Sequence, residues 1–456
     1  MFAIFGIALS IGMVVWKFSP IEPTWEELKA SIIDTSHEKV RVCTFQLPKN
    51  INNKTFAVSE VGVPLILSPL IEEGRYEEAA EAARVNSILQ SVVSKTIFYF
   101  FFFRPISKSF FRLYFQTSFS GYLTVNETHK NNLFFWFFPA ESLASQAPLV
   151  VWLQGGPGWP SLFGLFKENG PFLMGWDPDN AKPKLLNNLY KWTKNHNMLY
   201  IDNPVGAGFS FTESEDGNPE TDEQVAKELL EGLVQFMKIY PAMVSGAEPS
   251  KTPVYAFGES YGGSYVISLA KTYLEYREND GSYISELWLK GIGIGNGGIS
   301  AQDQYAYADF FNSLAFITKA EYDKLKSFEN TFFEALEKKN YSRASDSLQK
   351  TLGYFVKDLM PYTNIYDFTF NGNYLTNNEY VCYLQQPQVR KAIHVGNATF
   401  HSDNVAYVHL RNQMMISKNE WLSETLGNLL FWVFCDVMTV SQQYFRRRTA
   451  FLKKVE

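Results

Sequence analysis

Five short runs of almost unbroken apolar residues constrain this chain more than anything else in it: Leu133–Phe138, Leu149–Leu153, Met198–Ile201, Val254–Phe257 and Leu289–Ile294. Most are flanked by Pro, Asn, Asp or Gly, and their continuous apolarity is what a strand covered on both faces requires. Segments with helical spacing, such as Thr221–Ile239 and Ser264–Tyr276, lie between them. Strands alternating with helices predict an α/β fold with a mostly parallel central sheet and crossover helices. From about residue 301 to 370 the pattern changes to aromatic and charged residues at helical spacing, for example over Lys319–Lys339. This predicts a helical insertion, placed to act as a lid if it leaves the carboxyl edge of the sheet and a far-face helical layer otherwise.

The chemistry concentrates in three loops that follow predicted strands. Gly258-Glu259-Ser260-Tyr261-Gly262 sits between an apolar run and a helical segment. That context predicts a nucleophile elbow, in which small residues flank a serine held in a strained turn with its hydroxyl exposed; an ordinary strand-to-helix turn is the alternative. Upstream, Trp152-Leu-Gln-Gly-Gly-Pro-Gly158 follows a second run. Its glycines let backbone N–H groups approach a ligand closely, as an oxyanion hole demands, and the residue after the nucleophile, Tyr261, supplies the other N–H. A third loop, Asp202-Asn-Pro-Val-Gly-Ala-Gly-Phe-Ser210, is expected at the same sheet edge as part of the pocket wall.

Taken together and in this order, the three loops resemble the serine carboxypeptidases, and within them the vitellogenic-like and insect venom branch. The likeness begins near Pro64-Leu-Ile-Leu-Ser-Pro-Leu-Ile-Glu-Glu-Gly-Arg75, resumes at Gly121-Tyr-Leu-Thr-Val and includes Val389-Arg-Lys-Ala-Ile-His-Val-Gly396. The resemblance implies an α/β-hydrolase fold and peptide or protein substrates with a free C-terminus. It implies Ser260 as nucleophile, with N–H groups at Gly156 and Tyr261 forming the oxyanion hole. It also implies Gln154, Gly155, Glu168 and Glu259 as the binding set for the substrate's terminal carboxylate. Two adjacent carboxyl groups such as Glu168 and Glu259 do not both ionise cheaply, so one would keep its proton and donate a hydrogen bond to that carboxylate. The family has Asn more widely where this chain has Gln154, whereas the vitellogenic-like branch resembles it. Trp159-Pro160 and Ser264 are further departures, and neither removes a donor or the nucleophile.

The catalytic histidine is the missing element. In this fold the triad runs Ser, then Asp or Glu, then His, and after Ser260 only His394, His401 and His409 remain. His394 matches a family position that is not the catalytic one. His401 and His409 read as part of a polar loop. Asp436 follows a strand-like run and is the candidate acid by order alone, with no histidine after it. The domain plan expected is therefore a leader segment over 1–20, core over 60–300, insertion over 301–370 and core again over 371–456. The aromatic run at 95–115 and the sequence after about residue 425 are expected to be foreign to the family pattern, leaving the core aberrant or cut short there.

Composition narrows the alternatives. A net charge of −6 gives no basic footprint for nucleic acid. The apolar start, Phe2–Trp16, is short for a membrane span and suits a signal peptide, so secretion or delivery to the lysosome is expected, with no stable span beyond it. Sequons at Asn53, Asn126, Asn340 and Asn397 fit glycosylation on that route. Cys43, Cys382 and Cys435 have no metal-ligand spacing and allow at most one bridge. No metal and no cofactor is expected. Three functions remain: a serine carboxypeptidase, an acyltransferase or esterase on the same fold, and a catalytically inactive secreted binding protein that keeps the pocket.

Overall fold

The computed structural model describes residues 57–85, 117–177, 182–359, 363–364, 367–371, 379–401, 405–426 and 428–434. All belong to the compact unit Leu47–Glu456. The leader expected at 1–20, the aromatic run at 95–115, Asn53, Cys43, Cys435 and Asp436 lie outside the described residues.

The five predicted runs are strands of one sheet. β1 (Phe119–Asn126) and β2 (Asn131–Phe138) form an antiparallel hairpin. β3 (Leu149–Leu153), β6 (Asn197–Ile201), β7 (Val254–Glu259), β8 (Leu289–Gly295) and β11 (Leu430–Phe434) run parallel to one another, and β6 pairs antiparallel with β2, giving the order β1-β2-β6-β3-β7-β8-β11. Strand alternation sends side chains to opposite faces. Leu133, Phe135 and Phe137 join the core on one face, with Leu229, Leu233 and Phe236. Phe134, Trp136 and Phe138 join the other, with Phe166, Tyr380 and Leu384. Both faces are covered, which is why these strands read as continuous apolar runs.

The helices follow their sequence signals closely. α1 (Asp222–Met243) is capped by Thr221, whose hydroxyl accepts from Gln224 N–H at 3.2 Å while Gln224 returns the bond. It runs past the expected Ile239, with Pro241 in its last turn. α2 (Gly262–Asp280) packs beside it on the same face. The insertion opens with two short helices, Ala301–Gln304 and Ala308–Ser313, and its long helices are α3 (Lys319–Glu337) and α4 (Tyr341–Tyr354), joined through Phe332, Ala335, Ala344 and Leu348. It is not wholly helical as expected, because β9 (Thr363–Asn364) and β10 (Asp367–Asn371) pair as a small antiparallel sheet. Strands this short carry too few residues to register a period of two. The antiparallel pair β4 (Phe172–Asp177) and β5 (Lys182–Asn187) and the edge strand β1 are likewise additions to the predicted strands.

Successive parallel strands are laid on opposite sides of β3: β6 on one side, β7 on the other. The crevice at the carboxyl ends of β3 and β7 is therefore the switch point where open α/β sheets bind ligands. Phe135 is fully buried and meets the Phe236 ring of α1 edge-on at 5.4 Å. Phe135→Ala is expected to cost about 3–5 kcal/mol by transfer and cavity terms, read by chemical denaturation, and a cost under about 1 kcal/mol would contradict this packing.

Candidate active site

Ser260 stands between the end of β7 and the start of α2 with φ at +56°, a left-handed conformation that costs a non-glycine residue energy. Its backbone is pinned from three directions. Its N–H donates to Gly295 O at 2.8 Å, and its carbonyl accepts from Gly263 N at 3.0 Å and Gly298 N at 2.8 Å. A Cβ on Gly258 would lie 2.0 Å from Gly262 O, and one on Gly262 would lie 2.4 Å from Leu153 O. The flanking glycines are thus required by close backbone packing. Ser260 itself is half-buried, at the mouth of the crevice.

The glycine loop after β3 rests directly on this elbow. A Cβ at Gly155 would come 2.6 Å from Tyr261 N and 2.7 Å from Ser260 Cβ. Gly156 has φ at +115°, and the turn closes through Trp159 N donating to Gly155 O at 3.0 Å. Gly158 N donates to the hydroxyl of Tyr265, on α2, at 3.2 Å. Among the described residues neither the Gly156 N–H nor the Tyr261 N–H donates to a protein acceptor. Two N–H groups beside the serine hydroxyl are what an incoming oxyanion needs.

Gln154, Glu168 and Glu259 also converge. Gln154 is 3% exposed; its Oε1 accepts from Trp152 Nε1 at 3.0 Å, and its Nε2 donates to Glu259 Oε2 at 3.1 Å and reaches Glu168 Oε1 at 3.5 Å. The tryptophan bond fixes which end of the amide faces the acids. Glu259 is buried and Glu168 half-buried, so two carboxyl groups share one amide donor at the edge of the crevice.

The third loop is held by a residue whose part the sequence did not disclose. Asp202 is buried, accepts from Leu162 N at 3.2 Å and Phe209 N at 3.0 Å, and so joins the third loop to the chain leaving the glycine loop. A Cβ on Gly208 would lie 2.0 Å from its carboxyl oxygen. Burial, partly offset by the backbone bonds from Phe209, Leu162 and Ser161, pushes the Asp202 carboxyl up to about 7.

No described histidine meets Ser260 through a hydrogen bond. His394 Nδ1 lies 3.0 Å from the Ser120 carbonyl on β1, four strands away from β7 in the sheet order. His401 pairs its backbone with Gly208, at 2.7 Å in both directions. His409 is on the helix Val405–Leu410 and not in the polar loop expected for it, because that helix packs against the glycine loop, with Ala406 Cβ 2.8 Å from where a Gly158 Cβ would be. Of the sequons, Asn126 ends β1 and accepts from Thr128 N at 3.1 Å, Asn340 caps α4 by accepting from Arg343 N at 3.1 Å, and Asn397 is exposed. Cys382 is half-buried.

The pattern that describes the family "Serine carboxypeptidase" matches residues 112–439. The chain belongs to the serine carboxypeptidase family. It is 36% identical to the venom serine carboxypeptidase of Apis mellifera, over 75% of this chain and 67% of that one. It is 33% identical to the vitellogenic carboxypeptidase of Aedes aegypti, over 82% of this chain and 71% of that one. The fold is the α/β-hydrolase fold. The crystal structure of KEX1(delta)p, a prohormone-processing carboxypeptidase from Saccharomyces cerevisiae, superposes with a TM-score of 0.58 at 22% identity, covering 70% of this chain and 73% of that one.

The Asp202 clamp has a pH signature. The folded chain keeps a proton there at pH values where the unfolded chain has lost it, so this contribution to stability is full below about pH 4 and is lost as pH rises through about 7. Glu228, raised to about 7 by burial, acts in the same sense; His394 and His401, lowered by burial, act in the opposite one. Asp202→Asn isolates the Asp202 part. Its Tm relative to the unaltered chain is expected to improve between about pH 5 and about pH 8, and a constant or worsening difference would contradict the assignment.

Proposed function

We propose that this chain is a serine-type carboxypeptidase that removes C-terminal residues from peptides through an acyl-enzyme on Ser260. The observation that carries the reading is the contact of Gly155 with Ser260 and Tyr261 at the elbow, where neither the Gly156 nor the Tyr261 N–H donates to a protein acceptor among the described residues. Family membership supports the same chemistry. Ser260 Oγ attacks the scissile carbonyl carbon, its proton passes to a base, and the two N–H groups take the charge on oxygen. The C–N bond then breaks, the amine leaves with a proton, and water hydrolyses the acyl-enzyme. Gln154, Glu168 and Glu259 hold the substrate's terminal carboxylate, which places the last peptide bond at Ser260 and makes the enzyme an exopeptidase.

In this reading the helical insertion over 301–370 covers the crevice as a lid. The chain travels the secretory pathway, to the exterior or the lysosome, after loss of its leader, with glycans on Asn53, Asn126, Asn340 and Asn397. Among the described residues no helix is long and apolar enough to cross a membrane. The carboxylate-binding set favours peptides over the esters or acyl acceptors of an acyltransferase.

A second reading is favoured by the lack of a described histidine at Ser260: a peptide-binding protein that keeps the pocket without turnover. A fluorophosphonate separates the two, since phosphonylation needs an activated serine. Labelling of Ser260, lost in Ser260→Ala, is the expected result; no labelling with peptide binding retained would carry the second reading.

The paired carboxyl groups predict a pH profile. The pair binds a carboxylate while one member keeps its proton, so kcat/KM for peptides is expected to fall as pH rises through neutrality, mainly through KM. Glu259→Gln, whose amide donates at every pH, is expected to flatten the fall. A profile for the unaltered chain that rises from about pH 5 to about pH 8 would reject the carboxylate role.

A further inference from the structure

A buried ion pair is costly unless its geometry is good and its remaining hydrogen-bonding capacity is filled. Behind the elbow, Asp222 and Lys418 meet at 2.8 Å with both side chains at 0% exposure. Asp222, the first residue of α1, accepts in addition from the Tyr261 hydroxyl, which lies 2.9 Å from one carboxyl oxygen and 3.1 Å from the other. Lys418 anchors its own backbone N–H on Ile299 O at 2.8 Å, and its ammonium stands 3.5 Å from Ile416 O and 4.9 Å from the centre of the Trp421 ring. Three parts of the chain far apart in sequence thus converge on the side chain of the residue that follows the nucleophile.

We infer that the Asp222–Lys418 pair is a positioning device for the oxyanion site. It holds the Tyr261 phenol from behind, and that fixes the Tyr261 N–H at its place beside Ser260. The inference rests on the Ser260 reading above and adds a dependence that reading does not contain: the elbow's geometry is set partly by the segment carrying Lys418. The other half of the site is tied to the same aromatic pair. Tyr265 packs edge-on against Tyr261 at 5.2 Å, and its hydroxyl accepts the Gly158 N–H of the glycine loop. An apolar pair of similar volume would fill the space behind the elbow and preserve stability, as buried ion pairs often permit, but it would give the phenol nothing to bond. Small displacements of a donor from the oxyanion are expensive to a reaction while costing little in folding.

Two variants test it. Tyr261→Phe removes the hydroxyl and leaves the ring and the ion pair. Asp222→Leu with Lys418→Met replaces the pair by apolar groups and avoids a lone buried charge. For each, three quantities are measured: the rate of Ser260 phosphonylation by a fluorophosphonate, hydrogen exchange in peptides spanning residues 258–265, and Tm. The expected result is labelling slowed about tenfold and faster exchange confined to 258–265, in both variants, without a matching fall in Tm. Labelling and local exchange equal to the unaltered chain would overturn the inference, as would slowing that tracks a general loss of stability. Should the unaltered chain not label at all, the hydrolase reading fails by itself; exchange at 258–265 then decides the positioning role, with a local rise retaining the pin and no change overturning it.

Discussion

The site depends on the approach of one backbone to another. The Gly155-Gly156 turn lies so close to the Ser260-Tyr261 peptide that even a methyl group on Gly155 would overlap Tyr261 N. Because the two loops touch, the residues that follow β3 and β7 meet at the carboxyl edge of the sheet, with Gly155 against Ser260 and Tyr261. The same contact brings Gln154, one residue before the turn, within bonding distance of Glu259, one residue before the serine. The Gly155–Ser260 approach and the Gln154–Glu259 bond are therefore the two sides of a single loop-on-loop contact, and the distance between them is fixed by one residue of chain on either side.

That contact is stabilised from outside it. Ser260 is kept in its strained conformation by bonds to Gly295, Gly263 and Gly298, so the strain is borne by β8 and α2. Asp202 ties the chain beyond the glycine loop to the third loop, and Tyr265 ties the glycine loop to α2. Behind Tyr261 the buried Asp222–Lys418 pair brings in the residues that precede β11. Charged groups carry much of this support, and nearly all of them are buried where the local dielectric makes each bond strong and each unmade bond costly.

Much of this was legible in the sequence because its signals are local. Continuous apolar runs mark strands buried on both sides, and Leu149–Leu153 is read off residue for residue. The helical spacing from Thr221 marks the start of α1, and the elbow is written in five consecutive residues. What escaped was set by tertiary contacts. Asp222 looks like any acidic residue in a helix's first turn, and Lys418 like any lysine beside a polar helix; only folding brings them together out of solvent. Asp202 sat inside a loop already marked for its glycines, yet its carboxyl gives the loop its shape. His409 lies on a helix that its short polar surroundings did not suggest, since that helix is held by packing on Gly158.

The central claim, that Gly156 and Tyr261 N–H groups form an oxyanion site for a carbonyl attacked by Ser260, is tested most directly by a crystal structure of the chain treated with a peptidyl phosphonate. The account predicts phosphorus bonded to Ser260 Oγ and the phosphoryl oxygen about 3 Å from both N–H nitrogens. A phosphoryl oxygen turned to solvent, or an adduct on another residue with Ser260 intact, would contradict it.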